Sequence, residues 1–172
     1  MSLVDLQKEC DGYGCVPADF MFVGISAGRL GALVTTVPFT KDASGRIFQR
    51  CLNRLALSKS DEFSLKPELE NCYITNLVKS RVLTKEGLNR LPTMREMMDW
   101  CPYFLKEAKQ VTPKKLFALG SLVYSFLRRN TEVVPLFLRH PRWYQSHGAL
   151  NPESHAFAEM VMDYRKGVFG IE

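Results

Sequence analysis

Two hydrophobic rhythms alternate along the chain. Short continuous apolar runs read as buried strands, and stretches where apolar residues recur every three or four positions read as amphipathic helices. "FMFV" at residues 20–23 ends at Gly24 and predicts a first strand, with the glycine-rich "GISAGRLG" (24–31) as the loop behind it. "SGRIFQRCLNRLAL" (44–57) places Ile47, Cys51, Leu52 and Leu55 on one helical face and Arg46, Arg50 and Arg54 on another, with Ser44 as the expected cap. "CYITNLV" (72–78) predicts the second strand. "PTMREMMDWCPYFLKEAKQV" (92–111) opens a helix at Pro92 and Thr93, with Met97, Cys101, Phe104 and Leu105 as its apolar positions. Pro102 falls inside that pattern and predicts a kink or a break. "KKLFALG" (114–120) is the third strand, and "SLVYSFLRR" (121–129) a helix capped by Ser121. "VVPLFL" (133–138) is the fourth strand, running into "RHPRWYQSHG" (139–148). A closing helix is expected over 151–166, with Asn151 as cap and Pro152 at its first position.

Apolar strands alternating with helices indicate an α/β fold: a three-layer α/β/α sandwich around a four-stranded parallel sheet. In such sheets ligands bind beyond the carboxyl ends of the strands. That rule selects residues 24–31, 76–81, 120–121 and 140–144. Asn76 then stands out, because an amide interrupts an apolar strand where this fold class places ligands. Left unpaired, a buried amide costs about 1–3 kcal/mol. It either caps a turn or reads the edge of a ligand.

Composition narrows the classes. At 172 residues, 46% hydrophobic and 24% charged, the chain suits one globular domain spanning 1–172. No apolar run approaches the roughly 20 residues that cross a bilayer. The opening "MSLVDLQKECDG" has the features of neither a signal nor a transit peptide, so the cytoplasm is the expected compartment and a monomer the default state. A net charge of +5 favours an acidic partner only weakly. The five cysteines, Cys10, Cys15, Cys51, Cys72 and Cys101, are scattered, and disulfides are not expected in that compartment. Cys51 and Cys72 sit in apolar contexts that suit a core.

Taken in order, "FVGISAG", "VPF", "SGRIFQRCLNRL", "TNLVKSR", "NRLPTMREMMDWCPYFL", "FALG" and "RHPRWY" resemble the motifs of the uracil-DNA glycosylase superfamily. The resemblance runs from Phe20 to about Arg165 and is nearest the thermostable iron–sulfur branch, often called family 4. It implies DNA as partner and excision of a base flipped out of the stack. On the matching positions, it implies that Phe39 stacks on the base, Asn76 reads its edge beside Gly24, and His140 donates to a carbonyl oxygen as the base leaves with negative charge. It implies a wedge at Arg142, Trp143 and Tyr144, which could equally be an anchor packing the loop down. It also implies DNA contacts from Lys79, Arg81 and Ser121. His147 and His155 match nothing in the family and are expected at the surface.

Two departures matter. Ile25 stands where the nearest branch carries its acid, and Ser26 stands where other branches carry Asn. Ile25 supplies neither charge nor a hold on water. Ser26 can hold a water through one hydrogen bond, and Asp42, near Phe39 in sequence, could substitute from another loop. The second departure is the 4Fe–4S centre of that branch, held by four cysteines. Cys101 matches one ligand, but Ser80 stands in place of another, and Cys10 and Cys15 are spaced too widely for the family pair. No intact cluster and no other cofactor is expected, and packing by Trp100 and Tyr103 would hold the segment instead. The expected function is a uracil-DNA glycosylase-like repair protein. The rivals are a nucleic-acid-binding protein that has lost hydrolysis and a glycosylase for another damaged base.

Overall fold

The computed structural model describes residues 8–146 and Lys166. Five strands and five helical segments follow one another: β1 (Tyr13–Gly14), β2 (Phe20–Ser26), α1 (Ala32–Thr35), α2 (Ala43–Arg54), β3 (Cys72–Val78), α3 (Met94–Val111), β4 (Lys115–Leu119), α4 (Ser121–Asn130), β5 (Leu136–Leu138) and α5 (Pro141–Ser146). The strands form one sheet in the order β1-β3-β2-β4-β5. The four expected strands are mutually parallel. The addition is β1, two residues that pair antiparallel with β3 through Tyr13 and Gly14 and shield its outer edge. A two-residue strand carries no periodicity, so the pattern could not announce it.

Alternation along the strands builds the layers. Phe22, Cys72, Ile74, Phe117 and Leu119 face one side and pack with Ile47, Phe48, Cys51 and Leu52 of α2. Phe22 stacks on Phe117 at 5.2 Å between ring centres and meets Phe48 edge-on at 5.4 Å. Met21, Val23, Tyr73, Leu77, Leu116 and Ala118 face the other side and pack with Met97, Trp100 and Phe104 of α3 and Val123, Phe126 and Leu127 of α4. β3 is buried along its whole length, as a central parallel strand covered on both faces must be. On β3, Thr75 therefore faces α3, and Asn76 faces the α2 layer.

Two local expectations are corrected and a third is narrowed. The cap of α2 is Asp42, whose carboxylate accepts from the Gly45 N–H at 2.7 Å, and Ser44 lies inside the helix. Gly120, at φ +101°, takes the N-cap position of α4, so Ser121 is already helical and no side chain caps that end. Pro102 does not split α3, which runs unbroken for 18 residues. Pro102 has no N–H to give the Met98 carbonyl, and both residues lie on the exposed face of the helix, where the lost bond costs least. Thr93 caps α3 in a reciprocal box with Glu96. The closing helix with Asn151 and Pro152, His147, His155 and the Tyr144 side chain lie outside the described residues. Among the described residues no helix is long and apolar enough to cross a membrane.

Candidate active site

A cavity of about 930 Å³ opens at the carboxyl ends of the strands, on the α2 side of the sheet. Five segments wall it. The end of β2 and its loop bring Ile25, Ser26, Ala27, Gly28 and Leu30; the approach to α2 brings Phe39 and Asp42. The end of β3 brings Asn76, the turn before α3 brings Asn89, Arg90 and Leu91, and the segment after β5 brings His140 and Arg142.

Asn76 is 3% exposed and pairs in register with Gly24 on the neighbouring strand. A methyl group on Gly24 would collide with both Asn76 Oδ1 and the tip of the Phe39 ring. The amide and the ring therefore meet over a bare Cα, and glycine is the residue that lets them. Phe39 leans on Phe48 with 4.7 Å between ring centres, and its ring centre lies 6.3 Å from that of His140. Its backbone is left-handed at φ +53°, between two more left-handed residues, Thr36 at +62° and Lys41 at +72°. Such conformations cost about 1–3 kcal/mol each and persist where surroundings hold them. The Gln49 amide donates to the Phe39 carbonyl at 2.9 Å, and Thr40 donates to the Val37 carbonyl at 2.8 Å while its hydroxyl lies 2.5 Å from that of Thr35.

His140 is partly buried, and burial, with Arg142 nearby, pushes its pKa down to about 4. The imidazole is therefore neutral at pH 7. Its Nδ1 accepts from the Arg142 N–H at 3.1 Å, so the ring proton belongs on Nε2.

Asp42, which the sequence offered as a substitute acid without fixing its direction, lines the cavity. Its Oδ1 is taken by the helix cap, and Oδ2 lies against Gly28 and Gly31 of the loop after β2. Burial raises its pKa above the ordinary carboxylate value, against the opposing pull of the Gly45 N–H and Arg46. The pattern Asp-x-x-Gly at the start of a helix was the available signal, since a capping aspartate has a fixed direction. Ser26 lines the same cavity, and Ile25 also packs against the apolar cluster on the α3 side of the sheet.

Lys79 is not where a phosphate contact would need it. It is 2% exposed, and its ammonium donates to Glu107 at 2.7 Å, Thr75 at 2.6 Å and the Asn76 carbonyl at 2.9 Å. Glu107 also accepts from Tyr73 at 2.8 Å. A charge held by three acceptors under α3 braces the strand end that carries Asn76. Arg81 is on the surface, 3.1 Å from Glu9, and Ser121 and Arg142 are exposed. Trp143 packs against the α2-side core, with the Arg139 guanidinium 4.1 Å from its ring centre. Of the two expectations for that residue, the loop anchor fits its burial.

The thiols do not suit a four-cysteine cluster. Cys101 faces inward from α3, Cys51 and Cys72 lie in the core on the opposite side of the sheet, and Cys10 sits with Ala27 and Ala32. Cys15 donates to the Leu69 carbonyl and Cys72 to the Leu57 carbonyl. Trp100 is buried, its ring centre 5.3 Å from that of Tyr103.

Comparison with curated proteins gives no match. A family model described as the uracil DNA glycosylase superfamily matches residues 12–164, from the edge strand to beyond α5, and with it come a uracil-DNA glycosylase-like role in DNA repair and DNA as the substrate. The chain belongs to the uracil DNA glycosylase superfamily.

Proposed function

We propose that the protein is a DNA glycosylase that takes a deaminated base, uracil or a relative, out of the DNA stack into this cavity and hydrolyses its N-glycosidic bond. The observation that carries the reading is the convergence of Phe39, Asn76, His140 and Asp42, drawn from three segments, on one cavity.

The everted base stacks on the open face of Phe39, a contact worth about 1–3 kcal/mol. The Asn76 amide donates to one carbonyl oxygen of the base and accepts its ring N–H, a pairing that cytosine does not offer in the same arrangement. His140, neutral and protonated at Nε2, donates to the second carbonyl oxygen. As the bond breaks, its electron pair moves onto the base, and a preplaced neutral donor stabilises that anion without giving up its proton. The sugar left behind is oxocarbenium-like. The Asp42 carboxylate, held by its cap, supplies the opposing negative charge and receives a proton from the water that adds to the anomeric carbon. The Ser26 hydroxyl holds that water with it. Asp42 thus supplies what Ile25 cannot, a contribution of about 10²–10⁴-fold by general-base magnitudes. No cofactor takes part in this scheme.

The cavity is roomy for a pyrimidine, which favours testing purines beside uracil. Oligonucleotides carrying uracil, hypoxanthine or xanthine, single-stranded and duplex, are incubated with the protein, and free base and abasic sites are measured. Release of at least one base, abolished by Asn76→Ala and by His140→Ala, is expected. Tight, salt-sensitive binding with release of none would replace the enzyme by a binding protein.

A further inference from the structure

We propose that Leu30 and Leu91 form an apolar ledge on the rim of the cavity that receives the face of the nucleobase next to the everted nucleotide. The inference rests on the glycosylase reading and adds the contact that holds the opened strand. Both leucines line the cavity, yet they are 59% and 68% exposed, and Leu88 on the adjoining turn is 56% exposed. Large apolar side chains left in water around a ligand mouth mark a surface that something covers.

The ledge is built rigidly from two segments. The Arg29 N–H donates to Asn89 Oδ1 at 3.0 Å and pins the loop after β2 to the turn after β3. That turn is closed by Thr84 N–H to the Leu88 carbonyl at 2.7 Å and Arg90 N–H to the Val82 carbonyl at 3.0 Å. Leu91 stands between a two-pronged Arg90–Glu96 pair, at 2.8 and 2.6 Å, and the Thr93 cap of α3.

Its surroundings select the occupant. Arg29 is exposed beside Leu30, and Arg142 is exposed across the mouth. The occupant must present a flat apolar face and a negative charge within one repeat unit, which a nucleotide step does. The sheet order puts the turn after β3 and the segment after β5 on opposite sides of β2. Leu91 and Arg142 therefore approach the cavity from opposite sides of β2, with Leu30 between them in sheet order. A base that leaves the stack uncovers both neighbours, and the ledge covers one of them, as inserted apolar side chains do at other kinked steps.

The test measures binding to an oligonucleotide with a stable abasic analogue, carrying a fluorescent purine on either side of it. The double variant Leu30→Ala with Leu91→Ala is expected to bind about tenfold more weakly, the size of half-burying one leucine side chain. It is also expected to lose the fluorescence change at one neighbour and keep it at the other. The corresponding double Met variant restores both, and Leu65→Ala, exposed but remote from the cavity, changes neither. Wild-type affinity and an unchanged signal in the Ala variant overturn the ledge alone, and so does an equal loss in Leu65→Ala. If the wild-type protein binds none of these oligonucleotides, the glycosylase reading falls and the ledge falls with it.

Discussion

Asp42 has two tasks that a pair of substitutions can separate. As the cap of α2 it accepts from Gly45, and as a partly buried carboxylate on the cavity wall it supplies charge in the proposed mechanism. Asparagine caps a helix about as well as aspartate, so Asp42→Asn keeps the first task and removes the second. The wild-type carboxyl titrates above its ordinary value because burial disfavours the charge, so the neutral amide also removes a desolvation cost. Asp42→Asn is therefore expected to change stability by less than about 0.5 kcal/mol and to lower single-turnover base release by about 10²–10⁴-fold. Asp42→Ala loses the cap as well, about 1 kcal/mol, or about 2–4 °C in melting temperature for a chain of this size. The pH profile gives an independent reading. Release needs the ionised carboxylate, so the wild-type rate falls on acidification with a midpoint above the ordinary aspartate value, and this limb disappears in Asp42→Asn. Stability carries the opposite sign: a carboxyl whose pKa is raised on folding stabilises most below its unfolded pKa, and that contribution is lost as pH rises through the folded value. Base release by Asp42→Asn within about threefold of wild type, less than 1 kcal/mol of barrier, would refute the assignment of charge to this residue.

Other consequences follow from the same geometry. Glu107→Gln leaves the Lys79 ammonium buried without its counter-charge and is expected to cost about 3–5 kcal/mol in chemical denaturation, whereas Lys79→Met with Glu107→Leu is expected to be close to neutral. A loss under 1 kcal/mol for the single variant would show the pair to be ornamental. The His140 pKa of about 4, below its ordinary 6.5, means that the unfolded chain binds a proton in that window and the folded chain does not. Stability should fall by up to about 3 kcal/mol as pH drops from 6.5 to 4, and His140→Gln should flatten that part of the curve. Gly24→Ala pushes a methyl into Asn76 and Phe39; overpacking of about 1–3 kcal/mol and loss of base release are expected together, read by thermal melting and excision. Full activity in that variant would mean that the amide and ring do not share a base.

The parallel strands were legible because each is built on a short, mostly apolar run, and α3 because Pro92 and Thr93 announce its start. Asn76 was legible as well, since an amide at the end of a buried strand needs a reason. Other features depend on contacts between distant segments. Lys79 reads as a surface lysine until Glu107, a helix away in sequence, is folded over it. Asp42 and Ser44 are both good caps, and only the backbone turn at residue 42 chooses between them. That choice also aims the carboxylate, so the cap was misplaced and the direction of Asp42, named as a candidate from sequence, stayed open until the fold was known. Trp143 could have been wedge or anchor until α5 was laid against α2.

The left-handed backbone at Thr36, Phe39 and Lys41 sets two selection pressures against each other. Glycine at 36 or 41 would relax the segment, and screens for heat resistance should recover such replacements readily. Each would also slacken the mount that aims the Phe39 ring. Variants chosen only for surviving high temperature should therefore drift toward a hardier protein whose aromatic platform is poorly aligned, and screening for turnover alongside is what would keep it in place.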